Sequence, residues 1–139
     1  MILIDTSVMV DISRGNQTEM TGKLFEVSEM EVPFGISAYT YMEVLRGAKD
    51  ELEYERTRRR LDAYKVYCLP ESKERYGRVA RMYFDLRRAG VTPRGTIDLM
   101  IAATAIEYNL YLLHDDRDFD LMASVFPKLK IWGEPPPWQ

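Results

Sequence analysis

Four acidic residues stand where a fold of alternating strands and helices would gather them: Asp5, Glu43, Asp98 and Asp116. Asp5 follows the apolar run Met1-Ile2-Leu3-Ile4, Asp98 falls in the first turn of an apolar helix, and Asp116 follows a strand expected over 110–113. Carboxylates brought together repel and raise one another's pKa, so a fold that collects them calls for a cation. Oxygen-only ligands favour Mg²⁺, with Mn²⁺ as a substitute, and leave coordination positions open for phosphate oxygens. That chemistry suits hydrolysis of a phosphodiester by an activated water, with one or two ions. Helices expected to begin near Ser7, Thr40 and Thr96 would turn their positive ends toward the same place.

Each acid also has a plainer reading. Asp5 can end a strand and cap a helix, and Glu43 can be the capping-box partner of Thr40. Asp98 fits first-turn dipole complementarity, and Asp116 in Asp115-Asp116-Arg117-Asp118 fits a solvated turn. Their conjunction favours a site, because independent capping acids have no reason to recur at the ends of successive strands.

The elements that must position these residues follow from the hydrophobic pattern. Strands are expected over 1–4, 32–36, 66–69 and 110–113, with a possible edge strand over 130–132. Helices are expected over 8–13, 19–28, from Thr40 to Gly47, and over 50–64, 71–89 and 96–109. The last of these carries apolar residues on almost every face and should be nearly enclosed. Strands alternating with helices imply an α/β fold: a three-layer domain with a central parallel sheet of four to five strands flanked by helices. Right-handed crossovers then put the carboxyl ends of the strands along one edge, where open α/β sheets bind ligands.

Bulk properties set the outer limits. The 139 residues, 46% hydrophobic and 29% charged, suit a single domain over 1–139, with 134–139 (Pro135-Pro136-Pro137) as an extended tail. One cysteine and one histidine put the usual zinc sites out of reach. Cys68 reads as a buried strand residue. No apolar run approaches the length of a membrane span, so a cytoplasmic protein without a membrane partner is expected. No Gly-x-Gly-x-x-Gly or Walker loop follows the first strand, which disfavours a nucleotide cofactor.

A net charge of −3 argues mildly against bulk electrostatic binding to nucleic acid, although basic residues on the rim of an acidic site would be compatible with it. Arg56, Arg58, Arg59 and Arg60 could track a phosphate backbone, but Glu55 can pair with its neighbours at helical spacing, and a solvated face explains the run. Arg46, Arg87 and Arg94 lie nearer the acids in sequence. Methionines such as Met9, Met20, Met30 and Met42 could line an adaptable groove, though a core role is the commoner one.

The segments Met1-Ile2-Leu3-Ile4-Asp5-Thr6-Ser7, Tyr41-Met42-Glu43-Val44-Leu45-Arg46-Gly47, Ile97-Asp98-Leu99-Met100-Ile101-Ala102-Ala103-Thr104-Ala105 and Leu112-Leu113-His114-Asp115-Asp116-Arg117-Asp118-Phe119, in that order, resemble the PIN-domain ribonucleases, specifically the VapC-type toxins of prokaryotic toxin–antitoxin systems. The resemblance spans nearly the whole chain. It implies that Asp5, Glu43, Asp98 and Asp116 are the catalytic, metal-binding acids, with Asp118 supporting or replacing Asp116. It also implies Mg²⁺-dependent endonucleolytic cleavage of RNA, a VapB-like antitoxin as partner, and a homodimer. Thr6 or Ser7 would position Asp5 or phosphate, and His114 could touch phosphate; Arg46 and Arg94, from their place in the sequence, are further candidates for substrate contact. His114 departs from the family's frequent serine or threonine, and a structural role is the stronger reading there.

Three other functions compete: an RNA-maturation nuclease without an antitoxin, an inactive PIN scaffold that only binds RNA or protein, and phosphoryl transfer through an aspartyl intermediate at Asp5. The last wants a second aspartate where Ser7 stands.

Overall fold

In the computed structural model, which describes residues 1–133, five parallel strands form one sheet in the order β3-β2-β1-β4-β5. These are β1 (Ile2–Ile4), β2 (Phe34–Ser37), β3 (Lys65–Tyr67), β4 (Tyr111–Leu113) and β5 (Lys130–Ile131). Between them lie α1 (Thr6–Ser13), α2 (Glu19–Glu29), α3 (Ala38–Leu45), α4 (Glu51–Leu61), α5 (Lys73–Arg88), α6 (Thr96–Glu107) and α7 (Arg117–Val125). The expected tail over 134–139 lies outside the described residues.

The order of the strands explains the layers. The chain steps from β1 to β2 to β3 in one direction, then returns past β1 to β4 and β5 in the other. Right-handed crossovers therefore place α1–α4 on one face and α5–α7 on the opposite face. Side chains alternate accordingly, since successive strand residues point to opposite faces. Ile2, Ile4, Ile36 and Leu113 pack with Val8, Leu24 and Leu61, while Leu3 and Leu112 pack with Leu86, Ile101 and Phe119. Ile2, Leu3 and Ile4 are all fully buried, which is why the first strand reads as continuously apolar.

Where the order reverses, between β1 and β4, the carboxyl ends of two adjacent strands feed into loops that diverge to opposite faces. That is the crevice in which doubly wound sheets hold ligands. Ile4 pairs with Leu113 at its floor, and Asp5 N donates to Leu113 O at 2.9 Å.

Four local expectations are corrected. The helix expected to open at Thr40 begins at Ala38, because extended Ser37 is its N-cap and Ser37 Oγ accepts from Thr40 N at 3.0 Å. Thr40 is thus the third helical residue, and Glu43 is not its capping-box partner. Residues after Asp116 form α7, absent from the sequence reading. Asp116 caps it by accepting from Asp118 N, and it buries Phe119 and Met122 three residues apart. Cys68 is exposed, because β3 is an edge strand that ends at Tyr67. Of the methionines, Met9 is buried, whereas Met30 and Met42 are exposed.

Among the described residues no helix is long and apolar enough to cross a membrane.

Candidate active site

Asp5 leaves β1 as the N-cap of α1 and is only 3% exposed. Its Oδ2 accepts from Ser7 N at 3.0 Å and from Ser7 Oγ at 2.6 Å, and Ser7 Oγ in turn accepts from Asp115 N at 3.0 Å. One serine therefore fastens the turn after β1 to the turn after β4. Asp5 Oδ1 is buried and has no hydrogen-bond partner. Loss of solvent raises the Asp5 pKa above its usual value, and the bonds from Ser7 only partly oppose this.

Glu43 arrives from the same layer as α1, on the second turn of α3. Thr6 Oγ1 lies 2.8 Å from Glu43 Oε1 and 3.0 Å from Thr40 Oγ1, which is itself 3.2 Å from Ser37 Oγ. A hydroxyl has one proton. With Thr6 donating to the carboxylate, Thr40 donates to Thr6 and Ser37 to Thr40, a directed chain that ends on Glu43. Arg46 stands 3.7 Å from Glu43 Oε2 with most of its side chain in solvent.

Asp98 is delivered by the start of α6, a helix buried nearly all round through Leu99, Ile101, Ala102 and Ala105. Burial, followed by the charges of Asp5, Asp116, Glu43 and Asp118 in that order, pushes its pKa up to about 6. The other four acids thus all bear on Asp98. Asp98, Asp116 and Asp118 each bring an oxygen within 4.8 Å of the other two. Asp118 Oδ2 is buried without a hydrogen bond, and Arg94, largely exposed, is 3.9 Å from it, too far to supply one.

This arrangement fits a hard divalent cation. The donors are all carboxylate oxygens, two of them are buried with nothing bonded to them, and an aspartate at the centre resists ionising alone.

The other residues singled out from the sequence fall into distinct places. Thr6 and Ser7 both spend their hydroxyls on carboxylates. His114 is 6% exposed; its Nδ1 accepts from Asp116 N at 3.0 Å, so the neutral ring carries its proton on Nε2, 3.1 Å from Asp120 Oδ1. Both nitrogens are engaged inside the chain, and the ring braces the α7 cap. Arg58 is held between Glu55 at 2.8 Å and Asp62 at 2.9 Å, away from any free role. Sequence reading missed the contributions of Ser37 and Thr40. Their signal, a hydroxyl at the end of a strand and another three residues on, was present but was assigned one step too late.

The family model of the PIN domain matches residues 2–125. The chain belongs to the PIN domain family. Among curated relatives, Ribonuclease VapC11 of Mycobacterium tuberculosis is 31% identical over 131 residues, covering 90% of this chain and 93% of the relative. Among solved structures, VapBC2 from Rickettsia felis bound to a DNA fragment from their promoter superposes with a TM-score of 0.69 at 19% identity, covering 94% of this chain and 97% of that one. A toxin–antitoxin complex from Klebsiella pneumoniae gives 0.66 at 22% identity, covering 93% and 95%. At those identities the structural likeness speaks for the fold, and the α/β arrangement of a parallel five-stranded sheet with helices on both faces is the PIN fold.

Proposed function

We propose that this PIN domain is a metal-dependent endoribonuclease, the toxin half of a cytoplasmic toxin–antitoxin pair whose partner is a VapB-like antitoxin. The observation that carries the reading is the convergence of Asp98, Asp116 and Asp118 within 4.8 Å beside the unpartnered oxygen of Asp5. The ribonuclease name of a relative that matches along 90% of the chain supports the choice of RNA.

Asp5, Asp98, Asp116 and Asp118 would hold the ion, with Glu43 completing the acidic ring; Mg²⁺ is the ion of choice and Mn²⁺ its substitute. Bound there, the ion supplies positive charge for the scissile phosphate and makes a water more acidic. The chain's own residues do the rest. Ser7 fixes Asp5, and the Ser37–Thr40–Thr6 chain fixes Glu43, so the carboxylates are in place before substrate arrives. Asp98 keeps a proton up to about pH 6 and must release it for the site to load. Arg46 and Arg94, exposed at the rim, are placed to meet flanking phosphates.

The test is incubation of end-labelled RNA with the purified chain and Mg²⁺, with excess chelator and with Asp5→Asn. Cleavage that needs the ion and disappears in the variant supports the reading. Cleavage that survives both overturns it, and no binding of Mg²⁺ or Mn²⁺ by calorimetry would favour the inactive scaffold.

A further inference from the structure

We propose that the cleft between α5 and the first turn of α6 is a subsite for an unpaired nucleobase of RNA. The proposal rests on the ribonuclease reading and adds to it a place where the strand beside the scissile phosphate is gripped.

A cleft of about 460 Å³ opens there, within the size range of small-ligand pockets. Tyr76 and Tyr83 line one wall from α5, and Pro93, Leu99 and Met100 form the floor and far wall. Tyr76 offers an open ring, 52% exposed, whereas Tyr83 packs against the core with the Arg87 guanidinium 5.7 Å from its ring centre. Arg94 stands at the mouth, and the same guanidinium lies 3.9 Å from Asp118 Oδ2. The cleft therefore adjoins the acidic ring, with a single side chain between them. Single-stranded nucleic acid is bound by pairing aromatic platforms for bases with cations for the backbone, and base stacking tolerates any sequence.

Charge points to the same occupant. In a chain of net charge −3, α5 exposes Lys73, Arg78, Arg87 and Arg88, whereas Arg75 is paired with Glu107 at 2.7 Å and Arg81 with Asp85 at 3.1 Å. Its exposed Phe84 has the guanidinium groups of Arg81 and Arg88 at 5.0 and 5.7 Å from the ring centre. A neutral base can enter beside the acids without the repulsion that a phosphate would meet there, while the flanking phosphates run along the basic helix. At the start of α6, Gly95 provides no capping side chain and a Cβ on it would touch nothing, so the entrance is open.

The test uses the full chain with Asp5→Asn and no added metal, so that binding is read apart from cutting. Amide resonances are followed while adenosine 5′-monophosphate, uridine 5′-monophosphate or ribose 5-phosphate is added. The proposal expects both nucleotides to shift Thr96, Leu99 and Met100, and ribose 5-phosphate to leave them in place. Affinity for labelled oligouridine, read by fluorescence anisotropy, should fall about fivefold to a hundredfold in Tyr76→Leu, the range set by the loss of one stacked base. Ala80→Trp, which fills the cleft from its exposed rim, should do the same, with thermal melts confirming that both variants fold. Equal shifts from ribose 5-phosphate would mark a phosphate site and overturn the proposal. So would undiminished RNA binding in both variants, or an effect of Ala80→Trp confined to self-association or to a protein partner. Metal-dependent cleavage persisting in any of those cases would leave the ribonuclease reading intact.

Discussion

Thr6 and Glu43, thirty-seven positions apart, meet at 2.8 Å across the junction of α1 and α3, and the threonine's only proton goes to the carboxylate. The bond orients Glu43 toward the acidic ring rather than toward solvent. Its removal is predicted to hurt chemistry more than folding. A hydrogen bond to a charged group contributes about 1.5–3 kcal/mol. Thr6→Val should therefore lower kcat by roughly ten- to a hundredfold with little change in KM, while Thr6→Ser keeps most of the activity. Steady-state cleavage assays on the three proteins decide it, and a Thr6→Val enzyme with normal kcat would remove Thr6 from the positioning of Glu43.

Asp98 sits where four like charges bear on it. Asp98→Asn is predicted to abolish metal-dependent cleavage and to weaken Mg²⁺ binding by calorimetry, yet to raise the melting temperature of the cation-free protein at neutral pH. The two effects share a cause, the removal of a repelled charge. A variant that melts lower than the parent without metal would contradict it.

The same raised pKa fixes the sign of a pH effect. Between the ordinary value of 3.8 and about 6 the folded chain holds a proton on Asp98 that the unfolded chain has lost, so this group's contribution to stability falls as pH rises through that window. Asp5 shifts in the same direction. Without metal, the parent should melt higher at about pH 5 than at about pH 7.5 relative to Asp98→Asn, and saturating Mg²⁺ should narrow or reverse the difference. Parallel melts of both proteins, with and without Mg²⁺, measure it. A parent-to-variant difference that is flat in pH would rule the effect out.

Ser7 bonds Asp5 and the backbone of Asp115 at once. Ser7→Ala should cost roughly 1–3 kcal/mol in urea unfolding, because it leaves a buried carboxylate oxygen with one donor fewer. Ser7→Thr should recover part of that. An alanine variant as stable as the parent would show that the two turns need no such fastening.

At Gly35 the constraint is steric. A Cβ there would lie 2.5 Å from Lys65 O and 2.8 Å from the Tyr67 ring, and the nearer atom is backbone that cannot swing aside. Gly35→Ala should destabilise by about 1–3 kcal/mol as β2 and β3 are pushed apart. Urea midpoints measure this, and because Ser37 ends β2, loss of activity in folded protein should accompany it.

Much of this site was legible in the sequence because its acids sit at the ends of strongly patterned elements. Ile2-Leu3-Ile4 and Leu112-Leu113 are unbroken apolar runs, and an acid at the exit of each was readable without coordinates. What escaped was decided by contacts between distant segments. Thr40 looked like a cap because its spacing to Glu43 fits one. Only the position of Ser37 in β2 shows that the helix had already begun. The helix α7 escaped because Asp115-Asp116-Arg117-Asp118 is as polar as a turn, and its two buried residues give little periodicity. Cys68 was misplaced because an apolar neighbourhood in sequence does not reveal that a strand lies on the outside of a sheet.

The reversal of strand order between β1 and β4 also sets a schedule. Asp5 and Glu43 precede Asp98, Asp116 and Asp118 along the chain, and β4, the strand that pairs with β1 on the site's other side, is made only after Asp98. A half-synthesised molecule holds only two of the five acids. On the ribonuclease reading, a nascent chain that stops short of α6 therefore lacks the acids that would gather the ion.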